Sequence, residues 1–114
     1  MLCFHLLFFP VPSASPTNLQ IIIEGPNNLT VFWERPREIE VNGKLLGYAV
    51  EYHALEESDP DHFNRVNVST YFVYLNGLAN FTYYNVSVRA YTIIGVGPPI
   101  YGSAKTYENG MYCM

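Results

Sequence analysis

The sequence predicts an all-β domain, a seven-stranded sandwich of two antiparallel sheets, and three observations carry that expectation. Short runs rich in β-branched and aromatic residues recur with turn signals about every ten residues. The clearest of these runs alternate apolar and polar positions, the mark of a strand with one face packed and one in water. A helical period is found nowhere, and composition agrees: aromatic residues make up 16% and charged residues 14%, too many rings and too few charges for a disordered chain or a coiled coil.

The first run, LQIII (19–23), is β-branched and ends in the turn cluster Glu24-Gly25-Pro26-Asn27. In LTVFW (29–33), Leu29, Val31 and Trp33 share one face while Asn28, Thr30 and Phe32 take the other. Pro36 stops that strand, since proline cannot donate to a ladder. A polar loop with Asn42-Gly43 leads to LLGYAVEYH (45–53), where Leu46, Tyr48, Val50 and Tyr52 fall on a single face. The acidic stretch EESDPD (56–61) reads as a solvated connection to two short strands, FNRVNV (63–68) and YFVYL (71–75). After the turn at Asn76-Gly77, Tyr84, Val86, Val88 and Ala90 alternate with Asn85, Ser87, Arg89 and Tyr91. The stretch IIGVG (93–97) and two prolines read as a loop, and a last strand is expected over about residues 100–106.

A chain of 114 residues and 13.0 kDa holds one domain with a real core. We place that domain at residues 11–108, with a tail at 109–114. Residues 1–10 have two readings, the apolar part of a secretory signal or non-native read-through, and both leave them outside the fold. Their apolar run is too short to span a bilayer, so no direct membrane insertion is expected. Two cysteines, Cys3 and Cys113, exclude a disulfide framework. They are not expected to bridge, because seven strands carry the chain ends to opposite poles, beyond the reach of about 7 Å between Cα atoms.

Several function classes fall away. Net charge is −4 and the six Lys and Arg residues are scattered, so no basic stripe exists to neutralise a phosphate backbone. The histidines, His5, His53 and His62, face no nucleophile in a suitable turn, and no catalytic residue is assigned. Glu56, Glu57, Asp59, Asp61 and His62 match no cation-binding spacing and are read as a solvated tip. Gly95-x-Gly97 opens onto prolines and not onto a helix, so no phosphate cradle and no cofactor are expected.

N-x-[ST] signals carry more information. Four occur, at Asn28, Asn67, Asn80 and Asn85, where this composition would give about one by chance. Alternation turns Asn28 and Asn85 away from the core, Asn80 falls in a turn, and Asn67 lies on or beside a short strand. Together they point to an extracellular, glycosylated history.

The segments VPSASPTNLQ (11–20), LTVFWERP (29–36), NGKLLGYAVEYH (42–53) and LNGLANFTYYNVSVRAYTIIGVGPP (75–99) resemble a fibronectin type III domain. The wording of the last segment is most similar to repeats of neuronal adhesion receptors and receptor-type tyrosine phosphatase ectodomains. The resemblance implies an immunoglobulin-like sandwich with Trp33 as its buried tryptophan. It also implies that Tyr84 makes the tyrosine corner, its hydroxyl bonding back to the turn before its strand. Trp33, Tyr48, Val50, Tyr52, Leu78, Tyr84, Val86 and Val88 are the expected core. With chemistry set aside, contacts to other proteins or to neighbouring repeats are expected from two loops, Arg35, Arg37 and Glu38 in one and Ile93, Ile94 and Val96 in the other. Two alternatives stay open, a cytokine-receptor-like ligand-binding module and an intracellular muscle-type repeat. The first lacks its WSxWS box, PPIYGSA (98–104) standing in its place, and no RGD tripeptide occurs in 93–97.

Overall fold

The computed structural model describes residues 12–37, 43–59 and 63–109. Among them the chain forms seven strands and no helix: β1 (Thr17–Ile23), β2 (Leu29–Glu34), β3 (Gly47–Ala54), β4 (Asn64–Val68), β5 (Phe72–Leu75), β6 (Tyr83–Tyr91) and β7 (Val96–Lys105). β1, β2 and β5 form a three-stranded sheet in the order β1-β2-β5, and the other four form a sheet in the order β4-β3-β6-β7. Every pairing is antiparallel. The outcome is the all-β sandwich that the alternation implies.

The inward side chains of each alternating strand meet in one core. Leu29, Val31 and Trp33 come from β2, and Tyr48, Val50, Val86, Val88 and Ala90 from β3 and β6. Register makes this possible: Tyr48 faces Ala90, Val50 faces Val88 and Tyr52 faces Val86, so three rows of the β3–β6 ladder point the same way. Trp33 sits edge-on to Tyr48 with ring centroids 5.3 Å apart, a geometry that suits the ring quadrupoles. Leu19 and Ile21 of β1 close the sandwich over β7, and Gly102 permits the approach, because a Cβ there would lie 2.8 Å from Leu19 Cδ2. Burial of each large apolar side chain contributes about 1.5–3 kcal/mol, and with no disulfide framework that burial holds the domain together.

Four details depart from the sequence reading. β7 begins at Val96, so Val96-Gly97-Pro98-Pro99 is strand where a loop was expected. The prolines are accommodated because β7 is an edge strand, bonded on one side only. Leu46, expected beside Tyr48 in the core, is 44% exposed, since the strand starts one residue later at Gly47. Tyr52 is only half-buried, packed against the margin of the core. Ala49 and Ser87 lie on the outward side yet are buried, because larger neighbours in register cover them: Asn67 and Arg89 flank Ala49, and Glu51 and Tyr101 flank Ser87.

Candidate interaction surfaces

Strand register decides which loops meet. Gly47 at the start of β3 pairs with Tyr91 at the end of β6, and Tyr91 pairs with Val96. Tyr48 contacts both Trp33 near the end of β2 and Tyr71 just before β5. The β2–β3 and β6–β7 connections therefore lie at one pole of the sandwich. Thr17, where β1 starts, pairs with Glu34 at the same pole, and Pro12 packs on Gly97, where a Cβ would come within 2.7 Å of the Pro12 Cβ. The chain thus enters at this pole, and it leaves at the other, where Lys105 pairs with Tyr83.

At the entry pole the β6–β7 connection is a tight turn. Thr92 N–H donates to the Gly95 carbonyl at 3.0 Å, and Ile94 N–H donates to Thr92 Oγ1 at 3.4 Å. Thr92 is buried, whereas Ile93 and Ile94 stand out, 85% and 62% exposed. Val96 beside them is exposed as the first residue of β7. These side chains rim a groove of about 460 Å³ whose floor is the outer face of the four-stranded sheet, with Glu51, Arg65 and Arg89 in it. Arg65 Nε donates to Glu51 Oε2 at 2.8 Å, and Arg89 Nη1 donates to the Gly97 carbonyl at 3.1 Å.

Arg35 and Arg37 are exposed in the other connection, while Glu38 lies outside the described residues. Arg35 and Lys44 flank a second cleft of about 380 Å³ that reaches the ring of Tyr48. The Tyr48 hydroxyl and Trp33 Nε1 are buried with no hydrogen-bond partner among the described residues. Burial pushes the Tyr48 hydroxyl up to about 12, Tyr71 adding to the rise and Arg35 opposing it.

The opposite pole is knitted by polar contacts that spacing alone does not announce. Ala79 N–H donates to the Tyr84 hydroxyl at 2.8 Å, the back-bond of a tyrosine corner. Thr106, fully buried, donates to the Ala79 carbonyl at 2.7 Å and accepts from Thr82 N–H at 3.0 Å. Asn27 Nδ2 donates to the Leu78 carbonyl at 2.7 Å. Lys105 Nζ lies 3.5 Å from the centroid of the exposed Phe81 ring, within range for a cation–π contact.

The four glycosylation signals are spread over the surface. Asn67 on β4 and Asn80 in the turn before β6 are exposed. Asn85 on β6 is half-buried on the outer side, opposite His53 and Ser103. Asn28, half-buried, immediately precedes β2 in the other sheet. Asp61, His62 and both cysteines lie outside the described residues. Among the described residues no group of three or more His, Cys, Asp or Glu side chains is placed to hold a metal ion. No helix among them is long and apolar enough to cross a membrane.

With two sheets, a buried tryptophan and a tyrosine corner in place, residues 14–103 match the profile of the Fibronectin type III domain. The chain belongs to the fibronectin type III family. It is 30% identical over 102 residues to human neogenin, covering 89% of this chain and 7% of that protein. It is 30% identical over 92 residues to the cell adhesion molecule Dscam1 of Drosophila melanogaster, covering 76% of this chain and 5% of that one. Among solved structures, the three fibronectin domains FN1–FN3 of chicken CNTN1 superpose with a TM-score of 0.76 at 26% identity, over 85% of this chain and 33% of that one. The fibronectin type III chain is thus one repeat's worth of such proteins, homologous to repeats of adhesion receptors, and this supports a non-catalytic interaction or spacer module.

Proposed function

We propose that this fibronectin type III domain is a recognition and spacing module of a larger extracellular protein, and that its contacts are made at the entry pole. The observation that carries this reading is the pair Ile93 and Ile94, held out by a hydrogen-bonded turn at the rim of a groove. Side chains that apolar are seldom left in water without a partner surface. The partner is another protein or the preceding repeat of the same chain, because the chain enters at that pole. No cofactor, metal, nucleic acid or catalytic step enters this reading.

Two measurements test it. Secreted by animal cells, the chain is expected to lose mass on glycosidase treatment; an unchanged mass refutes the extracellular assignment. Displayed on a membrane anchor, it is expected to support cell attachment that the double substitution Ile93→Ser, Ile94→Ser removes, with folding stability altered by less than about 0.5 kcal/mol. Attachment that survives the double substitution refutes the assignment to this pole.

A further inference from the structure

The outer face of the three-stranded sheet carries two uncharged cross-strand rows between Glu24 at one end and Glu34 at the other. Ile22, Thr30 and Tyr74 are opposite one another in one cross-strand row, and Gln20, Phe32 and Phe72 in the next. Ile22, Phe72 and Tyr74 are exposed and Phe32 is half-buried. Neither row contains a charged residue, although Thr30 Oγ1 donates to Glu24 Oε2 at 2.8 Å at the end nearest Asn28, and exposed apolar side chains grouped like Ile22, Phe72 and Tyr74 mark a surface that something covers.

Asn28 lies at the edge of that patch and on its side. It sits two and four residues ahead of Thr30 and Phe32, so strand alternation turns it the same way. Its carbonyl still accepts from Glu24 N–H at 3.1 Å, which continues the β1–β2 pairing to this residue. Asn28 is thereby the diagonal neighbour of both Ile22 and Tyr74, a spacing of about 7–8 Å. Thr30, whose hydroxyl completes the Asn28-Leu29-Thr30 signal, occupies the centre of the first row. Asn67 and Asn85, by contrast, lie on the other sheet, whose outer face carries Glu51, Arg65 and Arg89.

We propose that Asn28 is glycosylated and that its first sugar lies on the exposed ring of Tyr74, at the near end of the aromatic rows. In the modifying step Asn28 Nδ2 gives up a proton and bonds to the anomeric carbon of an oligosaccharide carried on a lipid diphosphate. The carbon–oxygen bond to the carrier breaks, the lipid diphosphate leaves with the bonding electron pair, and the released proton passes to solvent. A pyranose ring has one face of C–H groups, slightly positive against the negative face of an aromatic ring, and a rim of hydroxyls. Laid on the patch, it packs its apolar face inward and presents hydroxyls to water. The proposal rests on the extracellular reading above.

The full chain carrying Asn67→Gln, Asn80→Gln and Asn85→Gln, secreted by animal cells and trimmed enzymatically to one N-acetylglucosamine, tests it against the same chain from bacteria. Mass analysis is expected to find the sugar on Asn28. That sugar is expected to raise Tm by about 4 °C, the shift that one good contact makes in a domain of this size, and to lower the fluorescence of an apolar dye. Both changes should vanish when Tyr74→Thr and Phe72→Thr are added. An equal rise in Tm without the aromatic pair, or Asn28 unmodified while other sites of the unaltered chain carry sugar, overturns the proposal. No sugar at any of the four sites overturns the extracellular reading instead. Should the aromatic double substitution prevent folding, dye binding to the sugar-bearing and sugar-free forms decides alone, and equal binding overturns the proposal.

Discussion

On their inner sides the two sheets do the same thing: Leu29, Val31 and Trp33 from one, and Tyr48, Val50, Val86 and Val88 from the other, are all closed off from water. On their outer sides they differ. The three-stranded sheet shows Ile22, Phe32, Phe72 and Tyr74, while the four-stranded sheet shows a floor of Glu51, Arg65 and Arg89 under a rim of isoleucine. The inner faces are constrained by each other's shape, so their residues follow from the fold. The outer faces answer only to what lies outside the molecule, which is where a module of a widespread family acquires its own character.

The largest expected effect tests whether the inner faces are one unit. Trp33→Ala removes the ring that meets Tyr48 across the sandwich and should cost about 3–5 kcal/mol, against a total of about 5–15 kcal/mol for a natural domain. Urea denaturation followed by circular dichroism should show both sheets lost in a single transition. Separate transitions would mean that the sheets hold themselves independently.

Next comes the four-stranded sheet's tie to the exit pole. Tyr84→Phe keeps the packed ring and strips Ala79 N–H of its acceptor, a loss of about 1–3 kcal/mol when the donor is left unpaired. Tyr48→Phe is its counterpart on the same sheet, with the opposite sense, since the Tyr48 hydroxyl is buried without a partner among the described residues. At neutral pH this change should be within about 1 kcal/mol of neutral, or stabilising. Its signature is alkaline. In the unfolded chain the hydroxyl titrates at its ordinary value of 10.0, whereas folding raises it to about 12. Its contribution is therefore fully present below pH 10 and is lost as pH rises toward 12, because the unfolded chain releases the proton first. Denaturation midpoints from pH 8 upward should fall less steeply for Tyr48→Phe than for the parent.

The smallest effect separates the outer faces. Arg65→Met breaks the pair with Glu51 and should cost at most about 1 kcal/mol, fading as salt is added. Tyr74→Thr on the aromatic face, free of sugar, should shift stability by no more than about 0.5 kcal/mol and show no salt dependence. A salt-dependent response at Tyr74 would erase the distinction drawn between the two surfaces.

The strands with one buried and one wet face were legible from residues alone, because alternation is the direct imprint of that condition: Leu29, Val31 and Trp33, or Tyr84, Val86, Val88 and Ala90. The last strand was legible from Ile100 on but not over residues 96–99, since Pro98 and Pro99 argue against a strand unless the strand is known to lie at an edge, and edge position is a property of the assembled sheet. Leu46 was misplaced by a ladder that starts one residue later. Of the proposed contact surfaces, the protruding isoleucines could be named in advance. Their groove could not, because Glu51, Arg65 and Arg89 come from three strands that only register brings side by side. The aromatic rows on β2 and β5 were hidden for the same reason: Phe72 follows Phe32 by forty positions, and only their pairing makes them neighbours.

Entry and exit at opposite poles also have a mechanical meaning. Tension applied through the two ends acts along β1 and β7, in line with the strands and across their ladder bonds, so those bonds are strained together and not peeled one after another. The β1–β2 ladder is interrupted between Thr17 and Gln20, where Asn18 takes a φ of 54°. That break leaves the stretch from Gln20 to Ile23 to resist sliding, and makes the first turn of β1 the place where the domain would begin to yield under load.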